Sequence, residues 1–156
     1  MSVKLNPSID ALIFGTIVSS LDKMGLNPML LARQVARSMT PTIGTSIKQL
    51  LGKNLPSNLE EHCKVSEEFT KAAGTADPNK SKIFASENTI NMNIVDCAFL
   101  KMADLGKKLG YKACPLCIEA FCESALTSAV NMGETEDIQV ENNENTCMIK
   151  IKLMEK

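Results

Sequence analysis

Six cysteines stand in this chain of 156 residues, and five of them, Cys97, Cys114, Cys117, Cys122 and Cys147, fall in its second half, with only Cys63 ahead of them. Cys114-Pro115-Leu116-Cys117 has the spacing that lets two thiolates point at one atom or cluster. It also opens an expected helix, whose free amides stabilise thiolate. Cys97 falls where an expected strand gives way to a helix, and Cys147 lies on the inward face of the last expected strand. If the sheet packs against the long helix, Cys97, Cys114, Cys117 and Cys147 converge, and four thiolates suit a 4Fe-4S cluster or a tetrahedral zinc. Cys122 is a weaker companion, about 12 Å beyond Cys114 along a helix axis. Two other readings of the thiols stay open: small buried hydrophobes, and a redox-active dithiol.

Other catalytic groups are sparse. His62 is the only histidine. With Glu60, Glu61 and Cys63 around it, it reads as one polar residue on the solvated face of a helix, not as a proton shuttle. No Ser/His/Asp spacing, glycine-rich phosphate loop or carboxylate pair stands out. A net charge of −1, one Tyr and no Trp leave neither a basic footprint nor stacking platforms, which argues against nucleic acid. The apolar run 11–18 is too short to span a bilayer and makes a poor signal peptide. A cytoplasmic protein with reduced thiols is therefore expected, and disulfides are not. Low net charge favours docking or self-association, so a protein partner or a homodimer is expected.

The elements that would position these residues follow from periodicity. Length and 44% hydrophobic content fit a single domain over 1–156. Residues 1–74 read as a helical layer, with helices over 6–24, 28–39 (broken by Pro41 and Gly44) and 46–51. A fourth helix starts at Pro56-Ser57-Asn58 and ends at Ala73-Gly74. From residue 82 the period changes to alternation: a hairpin of Lys82–Ala85 and Thr89–Val95, with Ile90, Met92 and Ile94 on one face. A short helix over 98–109 and a longer one over 114–130 follow. Two strands, 137–141 and 146–153, close the chain, and Cys147, Ile149, Ile151 and Leu153 share the inner face of the last. The fold class is α+β: an N-terminal helical layer, a small antiparallel sheet, and a long helix in the C-terminal half.

With these residues in view, 82–153 resembles the 4-vinyl reductase-like domain family and the related thiazoline carboxylate hydrolase-like small cysteine proteins. The resemblance rests on Asn91-Met92-Asn93-Ile94-Val95-Asp96-Cys97-Ala98-Phe99-Leu100, on Leu105-Gly106, on Cys114-Pro115-Leu116-Cys117, and on a hairpin with a late Cys147. It implies an α+β fold shared with TRAPP vesicle-tethering subunits and haem nitric-oxide sensors. It further implies a dimer and a small-molecule site beside cysteines, with zinc in some members. The hairpin here departs from the family's two-cysteine pattern at Gln139-Val140-Glu141, so that zinc site does not carry over whole. The lone His62 in the other half argues against haem. The leading expectation is a metal- or iron-sulfur-bearing accessory or redox-sensor domain that binds a protein partner or a small apolar ligand. The alternatives are a cysteine-dependent hydrolase, for which no base lies near the motif in sequence, and a metal-free adaptor.

Overall fold

A computed structural model describes residues 55–97 and 118–155, together with positions 17, 20, 23–26, 34, 37, 38, 41, 42, 45, 49 and 100. Most of the expected helices before residue 55, the helix over 98–109 apart from Leu100, which is helical, and Cys114 and Cys117 lie outside the described residues. Ile17, Ser20 and Lys23 are helical, and Gly25 takes a left-handed φ of 72°. Pro41, Thr42 and Thr45 are themselves helical, with Thr45 Oγ1 donating to the Pro41 carbonyl at 3.1 Å. Pro41 is therefore itself helical, as proline can be where its missing N–H is not needed, and Met39, Thr40 and Gly44, where the break is expected, lie outside the described residues.

Helix α1 (Leu59–Ala73) starts where the residues require. Asn58 is its N-cap, accepting from the Glu61 N–H at 2.9 Å. Glu61 reaches back to the Ser57 N–H at 2.9 Å and the Ser57 hydroxyl at 2.7 Å, so its carboxylate satisfies donors ahead of the helix and complements the positive end of the dipole. Gly74, at φ 66°, closes the helix by donating to the Thr70 and Lys71 carbonyls.

Four strands follow: β1 (Lys82–Ser86), β2 (Thr89–Val95), β3 (Thr135–Asn142) and β4 (Thr146–Leu153), paired antiparallel in the order β1-β2-β4-β3. β3 starts two residues before the sequence expectation because Thr135 pairs with Leu153 across an irregularity before Asp137. In the β1–β2 turn Glu87 takes a φ of 54° without being glycine. The β2–β4 register sets Ile90 opposite Ile151, Met92 opposite Ile149, and Ile94 opposite Cys147. All six side chains are buried on one face. Helix α2 (Ile118–Ala129) enters between β2 and β3 in chain order, and its Ala120 belongs to the same packed core. The α+β class therefore holds, with a four-stranded antiparallel sheet and two continuous helices among the described residues.

Helix α1 also guards an edge. β1 is an outer strand, and its Ile83 N–H donates to Glu67 Oε1 of α1 at 2.8 Å, which removes a donor from the ladder another strand would use. At the other end of β2, Asp77 N–H donates to the Val95 carbonyl and the Val95 N–H to Ser81 Oγ, both at 2.9 Å. The loop after α1 is thereby laced to the strand that leads into Cys97. Farther off, Arg37 forks onto Glu134 at 2.7 and 2.8 Å, an exposed pair that contributes little.

The N-cap offers a direct check on this account of α1. Asn58→Ala removes the only side-chain acceptor bonded to Glu61 N–H and should lower stability by about 1 kcal/mol, read as a fall in urea midpoint at constant slope.

Candidate functional site

Strand alternation accounts for Cys147 among the four singled-out cysteines, and a departure from it accounts for Cys97. Cys147 follows the inward phase of β4, is buried, and donates its thiol proton to Asn142 Oδ1 at 3.0 Å. Cys97 does not follow the phase of β2. Alternation after Ile90, Met92 and Ile94 would turn Asp96 inward and Cys97 outward, yet Asp96 is exposed and Cys97 is buried. The reversal comes from Asp96, whose φ of 53° ends the strand in the left-handed region that Asp tolerates better than most residues. The Asp96 N–H donates to the Asn145 carbonyl at 2.8 Å, which holds this corner against the β3–β4 turn. Cys97 and Cys147 consequently lie at the same end of the sheet, in one apolar cluster.

That cluster contains a third thiol, Cys63 of α1, and the Ala120 side chain near the start of α2. Burial among apolar groups, with the Glu123 charge as a second cause, pushes the Cys63 thiol up to about 12. Cys63 is thus held as a neutral thiol, the state of a packed hydrophobe and not of a nucleophile. Cys122 is half-buried. Cys114 and Cys117 lie outside the described residues, so the geometry brings together Cys97, Cys147 and Cys63 and leaves the C-x-x-C pair unplaced. Among the described residues no group of three or more His, Cys, Asp or Glu side chains is arranged to hold a metal ion.

The clearest departure from the sequence reading is His62. It is 0% exposed, not part of a solvated face. Its Nε2 lies 2.6 Å from Glu123 Oε1, 3.2 Å from Thr127 Oγ1 and 3.5 Å from Ser66 Oγ. Ser66 gives its own proton to Glu123 Oε1 at 3.0 Å, and Thr127 gives its proton to the Glu123 carbonyl at 2.7 Å. Every neighbour of Nε2 is therefore an acceptor, which assigns the ring hydrogen to Nε2. The opposite nitrogen, Nδ1, is buried and has no hydrogen-bond partner.

Around this pair the polar lining continues. Ser124 and Thr135, both buried, share a hydrogen bond of 2.6 Å that ties α2 to the start of β3. Glu119, one helical turn before Glu123, is also buried, and burial raises its carboxyl above the usual range, with the Glu123 charge adding to the rise. The nearby Thr75 hydroxyl acts in the opposite direction, but neither Thr75 Oγ1 nor Glu119 Oε1 completes a hydrogen bond of good geometry.

A spacing signal for this cluster was present in the sequence. Glu119, Glu123 and Thr127 recur every fourth residue along α2, and His62, Ser66 and Thr70 do the same along α1. Two polar stripes of matching period, each with acids or an imidazole, are what a buried polar seam between two helices requires.

Comparison with known proteins adds no assignment: the chain matches no family description and no curated sequence.

Two measurements test these side chains. Removing one partner of the buried pair, by His62→Ala or Glu123→Ala, leaves the other uncompensated and should cost about 3–5 kcal/mol in urea unfolding. The double variant should fall well short of the sum, because the two act as a unit. For Cys63 the folded thiol titrates above its ordinary 9.0, at about 12. A raised folded value means its contribution is fully present below the unfolded value and is lost as pH rises through the folded one. Stability should decline across that alkaline window, and Cys63→Ala should flatten the decline, as read by melting temperature against pH.

Proposed function

We propose that the protein is an accessory or sensor domain built around one thiolate centre, with Cys97, Cys114, Cys117 and Cys147 as its ligands. An iron-sulfur cluster is the favoured occupant and zinc the alternative. One observation carries the reading: the left-handed turn at Asp96 turns Cys97 out of strand phase and into the apolar cluster that also holds Cys147, at a shared end of the sheet. Cys117 immediately precedes Ile118, the first residue of α2, and Ala120 of that helix packs in the same cluster.

The donor set is soft and all-sulfur, which suits iron-sulfur or zinc and disfavours magnesium or calcium. Cys147 would exchange its bond to Asn142 Oδ1 for ligation, and a turn of the Asn142 amide would bring its Nδ2 to donate to the sulfur. Such a centre would cross-link the strand carrying Cys147 to the helix that starts after Cys117. Loading would then stabilise this end of the fold and set the shape presented to a protein partner, to a second copy, or to a small apolar ligand. The described residues include no helix long and apolar enough to cross a membrane.

Metal analysis with an absorption spectrum on anaerobically purified protein tests the reading. Visible absorbance that bleaches in air, with iron and sulfide bound, is the expected result, and Cys147→Ser and Cys117→Ser should each diminish it. Stoichiometric zinc in colourless protein would replace the cluster by zinc. Metal-free protein after anaerobic purification and reconstitution would refute the centre.

A further inference from the structure

We infer that the outer edge of β3 is a docking edge for an extended basic segment of a partner protein, which joins the sheet there as a further strand. The inference does not depend on the thiolate centre.

The ladder itself shows which backbone groups are spare. In the β3–β4 hairpin the Asn143 N–H donates to the Thr146 carbonyl at 2.8 Å, and bonded pairs in an antiparallel ladder recur at every second residue. Glu141, Gln139 and Asp137 therefore exchange bonds with β4, while the N–H and C=O groups of Ile138, Val140 and Asn142 point away from it. β3 ends the sheet order, so that other side is an edge. At the opposite edge the same alternation leaves Ile83 of β1 spare, and there Glu67 takes its N–H. Among the described residues no side chain closes Ile138, Val140 or Asn142 in this way.

The charge on the edge selects the occupant. Between Gly133 and Asn145 the chain carries five acids, Glu134, Glu136, Asp137, Glu141 and Glu144, and no Lys or Arg. Arg37 and Lys152 hold Glu134 and Glu136, whereas among the described residues no cation bonds Asp137, Glu141 or Glu144, and all three are exposed. A second copy fits badly. Antiparallel self-pairing centred on Gln139 sets Asp137 opposite Glu141, centring on Glu141 sets that residue opposite itself, and centring on Val140 brings Glu136 towards Glu144. Like charges directly opposite are destabilising. Acids on an edge do keep it unpaired, but they repel only strands of their own sign. For a basic strand the balance reverses. Lys or Arg side chains on its outer face lie beside Asp137 and Glu141, and β-branched side chains on its inner face lie beside Ile138 and Val140, which belong to the packed core.

Backbone amide NMR and hydrogen exchange on the full chain test this, with the peptide acetyl-Lys-Val-Lys-Val-Lys-Val-Lys-amide as the probe. One control carries Glu in place of every Lys. The other carries Pro in place of every Val, which keeps the charge and removes the donors that would face Ile138 and Val140. The expected result is saturable shifts and slowed exchange at Ile138, Val140 and Asn142 with the Lys-Val peptide alone. Glu141→Lys, at an exposed position outside the core, should weaken that binding by about fivefold or more. Amides at this edge that ignore the Lys-Val peptide would overturn the inference. Equal binding of the Pro peptide would reduce the edge to a charged surface, and equal binding of the Glu peptide would remove charge as the selector; either result overturns it. Unchanged affinity in Glu141→Lys would place the peptide elsewhere and overturn it too. Protection of the same amides that rises with protein concentration in the absence of peptide would assign the edge to a second copy instead.

Discussion

Pairing of β2 with β4 sets three inward contacts side by side, Ile90 with Ile151, Met92 with Ile149, and Ile94 with Cys147, and the remaining elements are arranged around that row. Each fully buried aliphatic side chain of this size contributes about 1.5–3 kcal/mol. A slip of one residue would turn every member of the row to solvent. The register therefore has little freedom, and what it fixes includes the depth of Cys147 in the sheet and the corner from which Cys97 departs. Helix α1 adds Leu59 and Cys63 to the same core while its Glu67 closes the backbone edge of β1.

A second environment lies between the helices, and its physics is the reverse of the first. Where the sheet row gains from excluding water, the seam of His62, Ser66, Glu123 and Thr127 holds groups that lose hydration and recover it only through mutual hydrogen bonds. Cys63 sits at the boundary of the two. It packs with the apolar cluster, yet Glu123 is near enough to raise its thiol. A chain with one imidazole thus commits it to the interior, against a carboxylate, at the junction of α1 and α2.

How far the sequence could be read depended on whether local periodicity and tertiary placement agreed. They agree for α1, where Asn58 and Gly74 mark both ends, and for β4, whose alternation puts Cys147 inside. They agree for the β1–β2 hairpin too, down to the strand bounds of β2. For His62 they diverge: the neighbours Glu60, Glu61 and Lys64 are exposed, and a residue read through its sequence neighbours inherits their polarity. Its burial is decided by Glu123, far along the chain, which no local window contains. Cys97 was unreadable for a different reason. Strand alternation specifies its side only if the strand continues, and a single backbone dihedral at Asp96 stops it.

That dihedral gives Asp96 an influence out of proportion to its own contacts. Among the described residues its side chain pairs with Lys80, at 3.9 Å on the surface, and its backbone decides whether a sulfur two positions beyond Val95 faces the core or the solvent. The position thus sets which way a cysteine faces without itself carrying sulfur. Asp, Asn and Gly keep Cys97 turned inward because they enter the left-handed region at low cost. A β-branched residue would favour continuing the strand, and its first effect would be to expose Cys97 to oxidants while leaving the cysteine itself unchanged. The exposure of this sulfur is therefore governed by a residue that carries none.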